Sequence, residues 1–409
     1  MEWPAHRAGS PGAKVTAPTA AAFTLVNARF SDGSMGNLRV VGTRIAAINV
    51  DPQPEDLIVD LAGDRLLPGL INAHDHLQLN NLPAHETRGR YRHVREWISE
   101  IDLRRRTDPQ FAAGADVPRN DRLLIGGIKN LLSGVTTVAQ HDPLYPYLIG
   151  SEYPTGVVRD FGWSHSLYLD GEEKVLASYR STPAEWPWVI HAAEGLNDEA
   201  AAEFDRLDAL GCIQQNTLLV HGIALNQAQR QRLANAAAGL VWCPSSNLKL
   251  FGKTADVAGL IAAGRVALGT DSRLSGARDL LEELRLAGQI PGLDEAALES
   301  LVTRDGAALL RLSDRGALRP GLRADLLVLP ACTRLAAAAR ADVRLVMIGG
   351  AAGYGDPDCA GRFAPSTGWA HVLVDGRPKV LHGHTAKLLS DARAAEPGLE
   401  ISNVTWRAA

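Results

Sequence analysis

Residues 66–80 read LLPGLINAHDHLQLN, an apolar run of β character that ends in two histidines separated by one residue. On a strand, residues i and i+2 point to the same face, so the imidazoles of His74 and His76 converge just past the run. A metal ion suits that point, but the chain has twelve histidines and an isolated HxH pair arises as readily by chance. The pair must be judged by what stands at the ends of the other apolar runs.

Those ends are polar in the same way. WPWVIHAAEG (186–195) closes on His191 and Glu194, NTLLVHGI (216–223) on His221, GLVWCPSSN (239–247) on Ser245 to Asn247, and GRVALGTDS (264–272) on Asp271. Between them lie Ala-, Leu-, Glu- and Arg-rich stretches of helical texture, such as those inside 121–142, 226–247 and 256–272. Alternating β and α at this density predicts parallel strands with helices outside. Polar groups at the C-terminal ends of successive parallel strands are how a (β/α)8 barrel builds an active site. A single buried histidine at a strand end is usually a satisfied core residue. Four independent strand ends carrying His, Asp or Glu are not.

The two ends of the chain read differently. Short β-type pieces at 23–30, 38–50 and 56–63 alternate with turn residues such as Asp32-Gly33, and the same texture returns at 321–330, 341–350 and 371–383. We expect an α/β protein: a distorted (β/α)8 barrel over 66–316 and a small composite β-sandwich domain from 23–65 plus 317–385. Residues 1–22 and 386–409 are expected to be tails. The segment between Asp142 and Trp188 is short for the strands a full barrel needs; only GVVRDFGWSHSLYL (156–169) reads as a strand there, which leaves one strand unassigned.

Composition narrows the function. The chain has 409 residues, 46% hydrophobic, with no run near the roughly 20 apolar residues of a membrane helix. The first 23 residues lack the apolar core of a signal peptide, so a cytoplasmic location is the default expectation. Four widely spaced cysteines without a CxxC pair argue against a disulfide framework or thiolate zinc cluster, leaving histidines and carboxylates to hold any metal. A net charge of −4 makes no electrostatic case for nucleic acid.

The ordered set PGLINAHDHL (68–77), SGVTTV (133–138), HAAE (191–194), HG (221–222), CPSSN (243–247) and LGTDS (268–272) resembles the amidohydrolase superfamily, in the branch of cytosine deaminase, guanine deaminase and triazine hydrolases. The likeness covers roughly residues 23 to 330. It implies that His74, His76, His191 and Asp271 ligate one divalent metal, Zn²⁺ with Fe²⁺ as the alternative. It further implies that Glu194 shuttles protons and His221 orients substrate and water. Three neutral imidazoles and one carboxylate leave such a cation a net positive charge and an open position, able to lower the pKa of bound water from about 15.7 towards 7. Expelling a poor nitrogen leaving group also needs proton delivery, which a carboxylate beside the metal supplies. Asp271 can take a proton while remaining on the metal.

The expected function is therefore hydrolysis of a C–N bond at an amidine- or guanidine-like carbon of a small nitrogenous compound, with deamination favoured. Ring opening of a cyclic amide or imidazolone is the alternative, and a non-catalytic barrel of structural role a second one. The last would have lost some of the six polar positions, and all six are present. A two-metal site would want a lysine at a middle strand end; Lys174 is nearest in order and reads as the start of a helix. The H-x-E/P-C-x-x-C pattern of zinc base deaminases is absent, and AHETRG (84–89) has Gly89 where HExxH needs its second histidine. Asp75, between the two histidines, stands where relatives commonly carry a neutral residue, and its side chain is expected to face away from the metal.

Gln78, His141, His165, Trp242 and Asn247 are candidate pocket residues by their positions at run ends. Residues 86–106 hold seven arginines against four acidic residues. Arg92 or Arg95 there is a candidate to grip an acidic substrate group, the rest being a solvated helix or a contact in a homo-oligomer.

Overall fold

The computed structural model describes residues 22–84, 91–363 and 367–401. The expected N-terminal tail up to residue 21 and the HExxH-like segment from residue 85 to 89 lie outside them.

Eight parallel strands make up the barrel. Leu70–Asp75, Val135–Gln140 and Gly156–Val157 form one ladder; Gly162–Ser166, Trp188–Ala192, Thr217–His221, Gly239–Trp242 and Val266–Leu268 form the other. The unassigned strand is thus found. The stretch expected as one strand supplies two, Gly156–Val157 and Gly162–Ser166, separated by the exposed pair Arg159 and Asp160. Two residues are too few to carry a periodicity, which is why this strand could not be read from sequence. Helices such as Arg119–Leu132, Asp198–Ala209 and Gln227–Asn235 alternate with the strands. The strands are buried on both faces, every residue of Leu70–Asp75, Val135–Gln140 and Trp188–Ala192 included, so they read as continuous apolar runs.

The two ladders are not joined by strand pairing among the described residues. They meet through the loop beyond Val266–Leu268, where the N–H groups of Thr270 and Asp271 both donate to the His74 carbonyl, at 3.0 and 3.1 Å. That seam sets the last strand end against the first one.

The chain ends share a single eleven-stranded sheet. Arg65–Pro68, just before the first barrel strand, pairs antiparallel with Leu326–Leu329, just after the barrel, and so joins the two halves. Leu25, Leu38, Val40, Leu66, Leu326 and Met347 lie in its own core, apart from the barrel interior. The stretch expected as a C-terminal tail continues as a helix, Gly383–Asp391, and a strand, Leu399–Ile401, that pairs with Trp369–Val374. Between them the buried Glu396 accepts both Nη groups of Arg273, at 2.8 and 2.6 Å, two residues after Asp271. Among the described residues no helix is long and apolar enough to cross a membrane.

Candidate metal centre and active site

His74 lies in the first barrel strand and His76 one residue past it; His191 belongs to Trp188–Ala192, His221 ends Thr217–His221, and Asp271 follows Val266–Leu268. The chain turns sharply at these ends. His221, Asp271 and Ala193, the residue before Glu194, have φ of +74°, +54° and +54°. Non-glycine residues in the left-handed region are held there by their surroundings, at a cost of order 1–3 kcal/mol each.

The three histidines expected as ligands converge. His191 Nε2 stands 3.3 Å from His74 Nε2 and 3.4 Å from His76 Nε2. Asp271 Oδ1 is 3.9 Å from the Nε2 atoms of both His74 and His76. Outward contacts decide the tautomers: His76 Nδ1–H donates to Asp142 at 2.7 Å, and His191 Nδ1–H to the His165 carbonyl at 2.8 Å. Each acceptor leaves an Nε2 lone pair pointing inward, the arrangement that metal-ligating histidines adopt. The lone pairs of His76 and His191, facing each other at 3.4 Å in a buried site, repel unless a cation lies between them, so the donor set fits a divalent metal. Burial and neighbouring imidazoles push His74 and His191 well below the ordinary histidine pKa. Burial acts on His76 in the same direction and the Asp142 carboxylate against it, so a cation held at Nε2 would take the place of a proton there.

On the far side stands Glu194, the residue expected to move protons. Glu194 Oε1 is 3.5 Å from His221 Nε2. Its carboxyl is only 6% exposed, and burial, with Asp271 and Glu203 nearby, raises its pKa well above the carboxylate range. His221 Nδ1–H donates to Asn247 Oδ1 at 2.8 Å, which leaves Nε2 free to face Glu194. Asn247 starts no contact of its own with the cavity. It is fully buried and touches the site only through its hydrogen bond to His221.

A cavity of about 250 Å³ opens on this cluster. His76, His191, Glu194 and Asp271 form its polar end, and Trp97, Ile98, Ile101, Phe111 and Leu274 its apolar wall. Gln78 and His165 line it as expected, Gln78 through a 2.5 Å hydrogen bond to Asp142. Three other expected pocket residues do not reach it. His141 is 2% exposed and packs among the histidine rings; Trp242 is buried outside the barrel with its indole N–H on Thr254 at 2.7 Å; Arg92 is exposed, its backbone N–H on Glu96. Arg95 pairs with Glu199. The groups of the helix Val94–Thr107 that reach the cavity are instead Asp102 and Arg105, a helical turn apart.

Sequence reasoning missed four supporting residues. Asp142, directly after His141, holds His76; its signal was the same strand-end rule that found the others. Lys129 is fully buried on the helix Arg119–Leu132 and bonds Asp75 at 3.2 Å, Asn80 at 2.9 Å, and Thr270 Oγ1 and the Asp271 carbonyl at 3.0 Å each. A lysine inside the apolar run LLIGGIKNLL requires a buried partner, and Asp75 is that partner. Asp75 faces away from the metal, as expected. Glu283 accepts the Ser245 N–H at 2.8 Å and holds the CPSSN turn that carries Asn247. Glu203 accepts the Ala193 N–H at 2.7 Å and fixes the HAAE turn.

An α/β barrel with clustered imidazoles, a buried acid and a cavity at its strand ends defines a metal-dependent hydrolase. Residues 177–352 match the family model described as Amidohydrolase family. That match and the relatives it shares give the chain the chemistry of hydrolysis at a carbon–nitrogen bond. It is 28% identical over 354 residues to a 5-methylthioadenosine/S-adenosylhomocysteine deaminase of Halobacterium salinarum, covering 73% of this chain and 80% of that one. Over 153 residues it is 36% identical to an 8-oxoguanine deaminase of Pseudomonas aeruginosa, covering 33% and 34%. In fold it is similar to zinc-complexed atrazine chlorohydrolase from Arthrobacter aurescens, with a TM-score of 0.66 at 17% identity over 81% of this chain and 94% of that one. It is also similar to a zinc-bound adenosine deaminase from Xanthomonas campestris, with a TM-score of 0.63 at 19% identity over 91% and 96%.

Proposed function

We propose that the site deaminates an amino-substituted purine or a similar nitrogenous ring, with His74, His76, His191 and Asp271 holding one zinc ion. The observation that carries this reading is Glu194: a buried carboxyl, kept protonated by its surroundings, at the edge of the cavity between His221 and the metal ligands. A bound divalent cation supplies the acidity that makes water a nucleophile at neutral pH. Glu194 delivers its proton to the ring nitrogen, which makes the amino-bearing carbon electrophilic. Asp271 accepts one proton of the attacking water; Glu194, now a carboxylate, takes the remaining hydroxyl proton of the adduct and passes it to the departing amine as the carbonyl forms, and the proton held by Asp271 then restores Glu194. The ring of His221, fixed by Asn247, presents Nε2 to the same space and orients the substrate.

The apolar wall suits the face of a heteroaromatic ring, and relatives named for purine and nucleoside substrates support that class. A single ion is favoured because Lys174 is exposed and the Nζ of Lys129 is taken up by four oxygens. A cytoplasmic location and a homo-oligomer remain part of this reading. Zinc analysis with ammonia release over a panel of aminopurines, their nucleosides, pyrimidines and triazines is the test. About one zinc per chain with ammonia from a purine is expected. Ring opening without ammonia, or no turnover of any member by metal-replete protein, would sink the deaminase assignment.

A further inference from the structure

His141 follows the strand Val135–Gln140 and has no part in the ligand set above. Its ring nevertheless offers a nitrogen that lies within 4.8 Å of the donor atoms of His74, His76 and His191. It stacks on His191 with centroids 4.2 Å apart and planes 21° apart. The tautomer is decided locally: Nε2 is 2.9 Å from the Ser164 carbonyl, and since a carbonyl only accepts, Nε2 carries the hydrogen. Nδ1 is therefore the lone-pair nitrogen, and it is buried without any hydrogen-bond partner. His76 and His191 are prepared the same way, one ring N–H spent on an outward acceptor and the other nitrogen turned inward. A buried acceptor left unpaired is costly, so a ring kept in this state is unexplained by packing alone.

Its side of the cluster also matters. His76, His191 and Asp271 border the substrate cavity, whereas His74 and His141 do not; they border a separate small cavity with Ala73, Val158 and Val189. A donor there leaves the cavity side open for water.

We propose that His141 is a fifth protein donor to the metal centre, through Nδ1, so that a divalent cation is held by four imidazoles and Asp271 with its open position towards the substrate cavity. This rests on the metal centre of the proposed function. The test uses the full chain, stripped of metal and reloaded with Co²⁺, whose visible bands are weak at high coordination number and strengthen when a ligand is lost. Wild type should show weak, six-coordinate bands, and His141→Ala intensified, five-coordinate ones. His141→Ala should also release Zn²⁺ to a competing chelator at least about a hundredfold more readily, since even partners outside the ligand set are worth 10- to 100-fold. His141→Gln, which keeps an N–H for Ser164, guards against misfolding and should show the same loss. Equal spectra and equal zinc affinity in wild type and both variants would overturn the fifth donor while leaving the four-ligand centre intact. If wild type binds neither Co²⁺ nor Zn²⁺, the proposed function fails with it. Should neither variant fold, the wild-type spectrum decides: four- or five-coordinate bands refute the fifth donor, weak six-coordinate ones support it.

Discussion

The floor and the rim of the site are built from the same kind of position, the C-terminal end of a barrel strand, yet they are finished in opposite ways. At the floor, Asp75 is fully buried and satisfied: Oδ2 accepts Lys129 at 3.2 Å and Asn130 at 2.9 Å, and Oδ1 accepts Asn80 at 2.8 Å. At the rim, Glu194 is as deeply enclosed but its nearest titratable partner, His221 Nε2, stands at 3.5 Å. A carboxyl given a cation and amide donors is held rigid, while burial without them raises the pKa of Glu194 and favours its protonated form. On the proposed function, the floor fixes geometry and the rim does chemistry.

The comparison breaks most visibly at the rim. Glu194→Gln keeps the size of the side chain and removes its exchangeable proton, so kcat should fall by about 10⁴ or more, the upper end for general acid–base catalysis, with metal content unchanged. Loss of metal instead would make Glu194 a ligand, and near-normal turnover would move the proton to Asp271 or His221. His191→Ala should lower metal occupancy and activity together, measured by metal analysis of the purified variant; full occupancy would remove His191 from the ligand set.

At the floor the expected damage is to stability. Lys129→Met strands the Asp75 charge and should cost about 3–5 kcal/mol in denaturant unfolding, the usual effect of breaking a buried ion pair. Adding Asp75→Asn should restore a large part of it. If the double variant is as unstable as the single one, the lysine matters through Asn80, Thr270 and the Asp271 carbonyl rather than through charge.

A smaller effect lies between the two regions, in Glu283, whose burial raises its carboxyl to about 8. The unfolded group ionises near 4.5, so between these values the folded protein binds the extra proton. This contribution to stability is complete below about pH 4.5, declines as pH rises, and is gone above about 8. Glu283→Gln should flatten that part of the pH–stability curve; an unchanged slope would assign it elsewhere. The smallest effect belongs to Arg92, exposed and away from the cavity. Arg92→Ala should leave KM alone and change stability by no more than about 0.5 kcal/mol. A raised KM for acidic substrates with Arg92→Ala but not with Arg105→Ala would reverse the placement of the two arginines.

Some of this was legible in the chain and some was not. Strands buried on both faces betray themselves as unbroken apolar runs, and the polar residue that closes each run marks the barrel's open end; hence His74, His76, His191, Glu194, His221 and Asp271 could be picked out together. The Gly156–Val157 strand was hidden because two residues have no period, and the C-terminal strand Leu399–Ile401 because its partner and the buried Arg273–Glu396 pair are supplied from far along the chain. Arg92 stood out by charge, but helix geometry turns Asp102 and Arg105 to the cavity.

The sequence alone determined the class of fold, the order of its strands and the residue types gathered at their ends, because these follow from hydrophobic period and local chemistry. Only the tertiary structure decided which nitrogen of each histidine is free and which carboxyl keeps its proton. It alone found the partner of Lys129 and drew His141 out of the pocket wall into the cluster. Those properties depend on neighbours tens to hundreds of residues away, brought within 3 to 5 Å only when the two ladders meet at the His74 carbonyl.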